Sequence, residues 1–409
     1  MLNIIWLFFF VIAFALSLFD WIFSGNQAAF PDLVKSLFDM AKLSVTIAIG
    51  LIGVLAFWLG LLRIAERSGL VNKLARLLAP LFRKLMPGVP DGHPALGSIS
   101  MNMAANMLGL DNAATPMGIR AMEQLQELNP IKNTASNAQI LFLVLNTSAV
   151  TIIPITVMLY RAQMGATDPA TIFLPILLAT SASTLVGLIA VSIVQRLSIF
   201  NRVVGLYFLV FAAIIGGLVW ALMSLPAENM SQISSALGNF LLMASIILIL
   251  LHGWRRKIAV YEEFVEGAKE GFKVAVTIIP YLVAMLTAIG ALRTSGALDA
   301  FASGLSWLFN SFGLDTRFVE AIPTALMKPF SGSGARAMML ETMESQGVDS
   351  LAGYMVATIQ GSTETTFYVL TVYFGAVGIK RIRHALSCGL LADMAGIVGA
   401  ILLSYWFFA

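Results

Sequence analysis

The scarcities of this 409-residue sequence set its class. One cysteine, Cys388, excludes disulfides, iron–sulfur clusters and cysteine-rich metal sites. The three histidines, His93, His252 and His384, stand far apart without ligand spacing, so no metal site is expected. Charged residues make up only 11% of the chain, where a soluble domain carries roughly a quarter. No basic cluster is interleaved with stacking aromatics, which argues against nucleic acid as a partner. No Walker motif is present, so no ATP-driven step is expected within the chain.

The chain is instead largely apolar: 58% of its residues are hydrophobic and its mean hydropathy is +0.86. Apolar runs fall near 2–23, 43–64, 137–160, 171–195, 203–223, 236–252, 270–292, 353–374 and 383–408. Several reach the ~20 residues that cross a bilayer as a helix. All are expected to be helical, since an isolated strand leaves its backbone unsatisfied in lipid. The partner these runs imply is a lipid bilayer. The first run lacks a basic leader and exceeds the roughly 7–15 apolar residues of a cleaved signal, so it is expected to be a spanning helix.

The second feature is a duplication. Residues 41–82 align without gaps on 268–309 at an offset of 227, with 12 identities among 42 positions. Gly-Ile-Arg-Ala-Met at 118–122 matches Gly-Ala-Arg-Ala-Met at 334–338, at offset 216. Asn146-Thr147-Ser148 falls opposite Gly361-Ser362-Thr363, at offset 215. Duplicated membrane chains with polar interruptions at matching places are the pattern of secondary transporters. The expected organisation is a first repeat over 1–200, a connecting transmembrane helix over 201–225, and a second repeat over 226–409.

The net charge of +3 resides in interhelical loops. Basic residues cluster at Arg63, Arg67, Lys73, Arg76, Arg83 and Lys84, at Arg196 and Arg202, at Arg255-Arg256-Lys257, and at Lys380, Arg381 and Arg383. The positive-inside rule places these loops in the cytoplasm. Corresponding spans then point in opposite directions, with 203–223 as the odd helix that makes inversion work. The fold class expected is an all-α integral membrane protein of two inverted-topology repeats with re-entrant hairpins and broken helices. Its location would be the inner membrane, with the N-terminus cytoplasmic and the C-terminus external. Segments 93–128 and 298–346 must each cross an even number of times. Each reads as an amphipathic helix followed by a re-entrant hairpin, because non-helical backbone at membrane depth needs a protein or water-filled surround.

The candidate site residues recur in both halves. The first group is Asn102, Asn106, Asp111, Asn112 and Thr115, ending at Pro116-Met117-Gly118; its mate is Lys328-Pro329-Phe330-Ser331-Gly332-Ser333-Gly334. Proline and glycine here break helices, and a helix starting at Gly118 or Gly334 would aim its positive end inward, toward an anionic or polar solute group. Tight helix–helix contact is the structural alternative for these small residues. The second group is Asn146, Thr147 and Ser148 with Gln360, Ser362, Thr363 and Glu364. An ionisable group in mid-span, such as Glu364, costs at least ~2.5 kcal/mol on insertion scales and marks a coupling site unless Lys328 or Arg336 pairs with it. Asp393 is a second ion-coupling candidate, with structural pairing the alternative. Arg120 and Arg336 occupy equivalent positions and fit either anion recognition and gating or a charge at the interface. Ser331 and Ser333 invite comparison with an intramembrane hydrolase, but Ser333 lacks the glycine two positions earlier and His384 lies beside a basic loop end. No enzyme is expected.

These residues resemble a known group. Asn112-Ala113-Ala114-Thr115-Pro116-Met117-Gly118 is similar to the hallmark of spore maturation A proteins. Lys328 to Arg336 together with Gly361-Ser362-Thr363-Glu364-Thr365 is similar to that of spore maturation B proteins. The chain resembles a fusion of the two, within the nucleoside-recognition, or Gate, domain family. Gate domains also occur in concentrative nucleoside transporters and in the membrane part of the ferrous iron transporter. The stretch 362–365 is similar to the Gln-Thr-Glu hairpin motif of the nucleoside transporters but has serine for glutamine. The resemblance implies a membrane role, tied in spore formers to core dehydration. The expectation is a secondary transporter of a small polar or anionic solute, nucleoside-like or carboxylate, coupled to H+ or Na+ and needing no other cofactor. A non-transporting scaffold or receptor with the same fold is the alternative. Glycine-rich faces and repeat symmetry leave room for a homo-oligomer.

Overall fold

The computed structural model describes residues 2–108, 111–197, 201–224, 226–313 and 315–409, without the side chains at 2–3, 111–113 and 227–228. Among the described residues every regular element is helical. The first half holds α1 (Leu2–Phe23), α2 (Ala29–Arg67), α3 (Leu70–Leu85), α4 (Pro94–Met107), α5 (Asp111–Glu127), α6 (Asn137–Thr147), α7 (Ile155–Gln163) and α8 (Phe173–Gln195). Then come α9 (Arg202–Met223), α10 (Ala227–Arg255), α11 (Val260–Thr294), α12 (Ala297–Ser311), α13 (Ile322–Met327), α14 (Gly332–Gln346), α15 (Leu351–Ser362), α16 (Thr366–Ala376) and α17 (Ala385–Phe408). Seven helices among the described residues are long and apolar enough to cross a membrane: α1, α2, α8, α9, α10, α11 and α17. Phe8, Phe19, Leu209, Ile214, Phe240 and Leu248 on α1, α9 and α10 are exposed, as lipid-facing side chains should be.

The other two apolar runs are divided. Run 137–160 becomes α6 and α7 with non-helical backbone between them, and run 353–374 becomes α15 and α16 around Thr363 to Thr365. Ser136 and Ser350 cap α6 and α15, each accepting from a backbone N–H three residues on.

Two long seams hold the bundle. α2 and α11 run antiparallel: a Cβ on Gly271 would stand 2.4 Å from Ala56 Cα, and one on Gly267 would stand 2.6 Å from the Leu59 carbonyl. With no Cβ at these points the two backbones touch, the packing that holds helices together where lipid offers no hydrophobic contrast. α8 and α17 are antiparallel as well, with Ser183 Oγ donating to the Ala392 carbonyl at 2.9 Å. Outside the first seam, α1 packs on α11 through Trp6 Nε1, which donates to the Ala284 carbonyl at 2.8 Å. On the other side Gly253 of α10 sits against Ile64 of α2.

Loop contacts sort the polar ends into two sets. At one end Arg63 binds Glu263, Lys380 and Arg381 donate their backbone N–H groups to the Asn133 carbonyl, and Gln195 meets His384. At the other, Arg161 pairs with Asp349, Asp168 binds Ser235 and Asn239, and Arg293 pairs with Glu341. The basic clusters at 63–84, 255–257 and 380–383 all belong to the first set.

Two local expectations need correction. The amphipathic helix of the first half is α3, ahead of segment 93–128: Val71, Ala75, Phe82 and Leu85 are buried while Lys73, Arg76, Arg83 and Lys84 face outward. Segment 93–128 is then a helical hairpin alone, α4 against α5, tied by Asn102 Nδ2 donating to the Ala114 carbonyl at 2.7 Å. No helix starts at Gly118 either. α5 begins at Asp111 and carries Pro116 inside it. Pro116 forgoes its one bond to the preceding turn, and the neighbouring alanines favour helix. The second half follows the expectation more closely, because α14 begins at Gly332 with Ser331 as its cap.

Candidate functional site

The two breaks meet. Glu364 N donates to the Thr147 carbonyl at 2.7 Å, joining the α15–α16 break to the end of α6. Each break also reaches its own hairpin by the same kind of bond. Ile152 N donates to the Met107 carbonyl and Phe367 N to the Pro329 carbonyl, both at 3.0 Å. Residues 152 and 367 stand at the repeat offset of 215. Polar backbone freed by each interruption is thus satisfied by the opposite break or by the adjacent hairpin tip, as burial demands.

A cavity of about 90 Å³ lies where these segments converge, lined by Asn106, Lys328, Arg336, Gln360, Thr363 and Glu364 among others. Its wall also includes Pro154 and Ile155 at the start of α7, Gly332 at the start of α14, and Thr365 at the cap of α16. Three helix N-termini, each carrying the positive end of a helix dipole, therefore converge there beside an ammonium and a guanidinium. Lys328 is buried, and its Nζ donates to the Gln360 carbonyl at 2.8 Å. Arg336 stacks its guanidinium 5.2 Å from the Tyr160 ring centre. Glu364, the acid in this lining, is exposed toward open space although it lies in mid-bundle. A second, larger cavity of about 720 Å³ runs between α2, α11 and the first hairpin, from Arg63, Glu66 and Glu270 to Tyr160. The two cavities share Ile155, Thr156 and Arg336 in their walls.

The remaining candidates divide. Asn146 is buried and fixed: it accepts from Asn106 Nδ2 at 2.8 Å and donates to the Phe142 carbonyl at 3.0 Å. The Tyr373 hydroxyl donates to Asn146 Oδ1 and accepts from Asn102 Nδ2, both at 3.3 Å. Asn102 is fully buried and braces the hairpin rather than lining the cavity. Thr147 and Ser148 are buried; Ser148 Oγ donates back to the Val144 carbonyl and its own carbonyl accepts from Thr184. Ser362 is buried with its hydroxyl on the Ile359 carbonyl, while the Gln360 Oε1 and Thr363 Oγ1 atoms are buried without hydrogen-bond partners among the described residues. Ser331 Oγ accepts from Gly334 N at 3.0 Å and contacts Ser333 Oγ at 3.3 Å, so it works as a helix cap. His384 binds Gln195 at the far basic end instead. Thr115 is half-buried on α5 and Arg120 is exposed outside the cavity, so the equivalence of Arg120 and Arg336 in sequence does not extend to position in the site. The Asn112 side chain lies outside the described residues. Asp393 is fully buried behind the second break.

Sequence reasoning missed Tyr373. It sits in an apolar stretch, and its repeat position at offset 215 is Met158, so no pattern marks it. The indirect signal was Gly118, where a Cβ would stand 2.3 Å from the Tyr373 hydroxyl. Arg161 was missed too. Its side chain is completely buried, held by the Val348 carbonyl and by Asp349 at 2.8 and 2.7 Å and stacked 4.6 Å from the Tyr354 ring centre.

A single family description, nucleoside recognition (Gate), matches residues 48–164 and again 275–380, together more than half of the chain. The chain belongs to the Gate family. Both matched segments run from a long seam helix through a hairpin to a broken helix. Spore maturation protein B of Bacillus subtilis is 48% identical over 169 residues, which are 40% of this Gate chain and 93% of that protein. Spore maturation protein A of the same organism is 43% identical over 183 residues, 45% of this chain and 90% of that protein. No solved structure matches.

Proposed function

We propose that this multi-pass Gate protein is a secondary transporter of a small anionic or polar solute, nucleoside-like or a carboxylate. The observation carrying the reading is the convergence of three helix N-termini with Lys328 and Arg336 on one cavity at the junction of two broken helices. Broken helices whose positive ends face a common midplane cavity are how transporters hold anionic groups without a solvent shell. At about 90 Å³ the cavity is far below the roughly 300–1,000 Å³ of ordinary small-molecule sites, so solute entry requires the hairpins to move. The larger cavity, about 720 Å³, supplies an approach from the basic-loop end. The opposite end is closed by the Arg161–Asp349 clamp. We take the basic end as cytoplasmic under the positive-inside rule, which makes this an inward-facing form in the inner membrane. The antiparallel seams between α2 and α11 and between α8 and α17 support reading the halves as inverted repeats over 1–200 and 226–409, with α9 within the 201–225 connector. Rocking of one repeat against the other would then alternate access.

In this reading Glu364 senses the coupling cation or proton. Glu364→Gln in proteoliposomes should abolish or uncouple solute uptake while leaving thermal unfolding unchanged. Wild-type uptake by the variant overturns the assignment. The scaffold or receptor alternative is separated by a thermal-shift screen with nucleosides, nucleobases and dicarboxylates followed by uptake: binding without saturable uptake favours it.

A further inference from the structure

On α10, Phe240, Met243, Ile247, Leu251 and Arg255 follow one another at spacings of three and four residues, so they form a single stripe. A groove of about 690 Å³ runs along this stripe, with Leu70 and Lys73 of α3 beside it. Its apolar wall is open: Phe240, Met243, Ile247 and Leu251 are all exposed. At roughly 1.5 Å per residue, the stripe from Phe240 to Arg255 is about 22 Å long. A bilayer with its headgroups is about 40–45 Å thick, so the groove has the depth of one leaflet.

The polar lining gathers at one end, where Lys73, His252 and Arg255 meet. Lys73, Arg255 and Arg256 all stand within electrostatic reach of the His252 ring, which a hydrogen bond with the Ser68 backbone sets at the end of α2. Other cations at this end are compensated inside the protein: Arg63 and Arg67 share Glu263, and Arg83 pairs with Asp91. Among the described residues Lys73, Arg255 and Arg256 form no ion pair.

A leaflet-deep apolar groove ending in uncompensated cations fits an occupant of the opposite pattern. A second copy of this chain does not have it. A twofold contact brings the same patch against itself, and in one membrane orientation sets these cations against their own copies. A zwitterionic lipid brings its own ammonium to its phosphate and leaves the cations uncompensated. An anionic phospholipid suits both ends, with an acyl chain along the stripe and its phosphate among Lys73, His252 and Arg255. Basic pockets between membrane helices on the cytoplasmic side take such headgroups, and the positive-inside rule puts this end there. We propose that the groove between α3 and α10 binds one anionic phospholipid of the cytoplasmic leaflet. The lipid would tie α3, which leads into the first hairpin, to α10, which rests on α2 through Gly253. The site stands whether or not the protein transports a solute.

The test uses the full chain purified in detergent and freed of bound lipid. Dioleoyl phosphatidylglycerol, dioleoyl phosphatidylcholine or inorganic phosphate is titrated in, and native mass spectrometry counts the molecules bound. One phosphatidylglycerol should bind each chain saturably. Phosphatidylcholine, with the same acyl chains, and inorganic phosphate should not displace it. Lys73→Gln and Arg255→Gln should each weaken binding about fivefold, the weight of one basic residue at an anionic headgroup. Ala244→Trp, which fills the groove and leaves every cation in place, should weaken it at least as much. Arg76→Gln removes an exposed cation of α3 that does not line the groove, and should change nothing. The proposal falls if phosphatidylcholine binds as tightly, or if the Lys73 and Arg255 variants bind like wild type. It falls equally if Arg76→Gln weakens binding as much as they do, since the attraction is then the general charge of the surface. Displacement by inorganic phosphate, with Ala244→Trp without effect, makes the site one for free phosphate and overturns it. A dimer that persists without lipid and is broken by Ala244→Trp overturns it too, because the occupant is then a second copy. Should Ala244→Trp fail to fold, the variants at the exposed Lys73 and Arg255 decide the matter by themselves.

Discussion

The α2–α11 seam gives a quantitative test of what holds the bundle. A methyl group added at Gly271 would stand 2.4 Å from both Cα and N of Ala56 and 2.8 Å from the carbonyl carbon of Leu55. Non-bonded carbons sit about 3.5–4.0 Å apart at their optimum, so Gly271→Ala must push the helices apart by about 1 Å. The opposing atoms are all backbone, and no side chain can rotate out of the way. Overpacking of this kind costs about 1–3 kcal/mol, and lipid supplies no hydrophobic gain to offset it. Gly53 lies on α2 as well, but a Cβ there has nothing within 4 Å. Gly53→Ala should be neutral or stabilising by up to about 1 kcal/mol through helix propensity. The two substitutions are chemically identical, yet their difference should reach about 1–4 kcal/mol. Thermal or SDS unfolding in mixed micelles, followed by circular dichroism, measures it. Equal shifts in the two variants, or a Gly271→Ala protein as stable as wild type, would refute the claim that backbone contact closes this seam.

Arg161→Leu removes a fully buried cation from Asp349, whose side chain is 30% exposed. The loss should therefore fall between the ~1 kcal/mol of surface pairs and the ~3–5 kcal/mol of fully buried ones, read from unfolding midpoints. It should also raise labelling of a cysteine placed at Thr167, whose N–H binds Asp349 at 2.8 Å. Tyr373→Phe should cost roughly 1 kcal/mol by taking a hydroxyl from Asn102 and Asn146. At the loop before α13, hydrogen bonding from Arg317 holds Asp315 down to about 2. Its stabilising contribution is complete above the unfolded carboxylate value near ~4 and is lost as pH falls through about 2. Arg317→Met should move the Asp315 midpoint upward in a side-chain carboxyl NMR titration, and an unmoved midpoint would exclude Arg317 as the cause.

Much of the architecture was legible because bilayer physics is strict. A run of about 20 apolar residues has few alternatives to a helix, and all seven continuous spans came from such runs. Both breaks were legible too, since Asn146-Thr147-Ser148 and Gln360 to Thr366 place polar groups where lipid would punish them. Less legible was anything set by a distant partner. Gly118 reads as a helix breaker until Tyr373 is seen to fill its missing side chain. Arg161 stands out from nothing in the sequence until residues 348 and 349 wrap it. Ser331 has the composition of a nucleophile and the geometry of a cap. The equivalence of Arg120 with Arg336 held in alignment and failed in space, because one repeat turns that helix face outward and the other turns it toward the cavity.

That failure points to how the site works. The scaffold bonds are matched: Ile152 to Met107 in one half and Phe367 to Pro329 in the other, each at 3.0 Å. The charges are not. Lys328, Glu364 and Asp393 face Asn112, Ala149 and Leu178 at the repeat offsets, so these three ionisable groups around the second break lack a partner in kind in the first, and only Arg336 has one, in Arg120. A strictly symmetric site would hold its solute equally from both halves and would gain nothing from inverting one against the other. Here the first half contributes a neutral, hydrogen-bonded cluster of Asn102, Asn106 and Asn146, which suits a fixed wall. The second contributes the cations and the exposed carboxylate. Those are the groups whose free energy changes when a solute or an ion arrives, so under the transport reading the second break is the element that moves and the first is what it moves against.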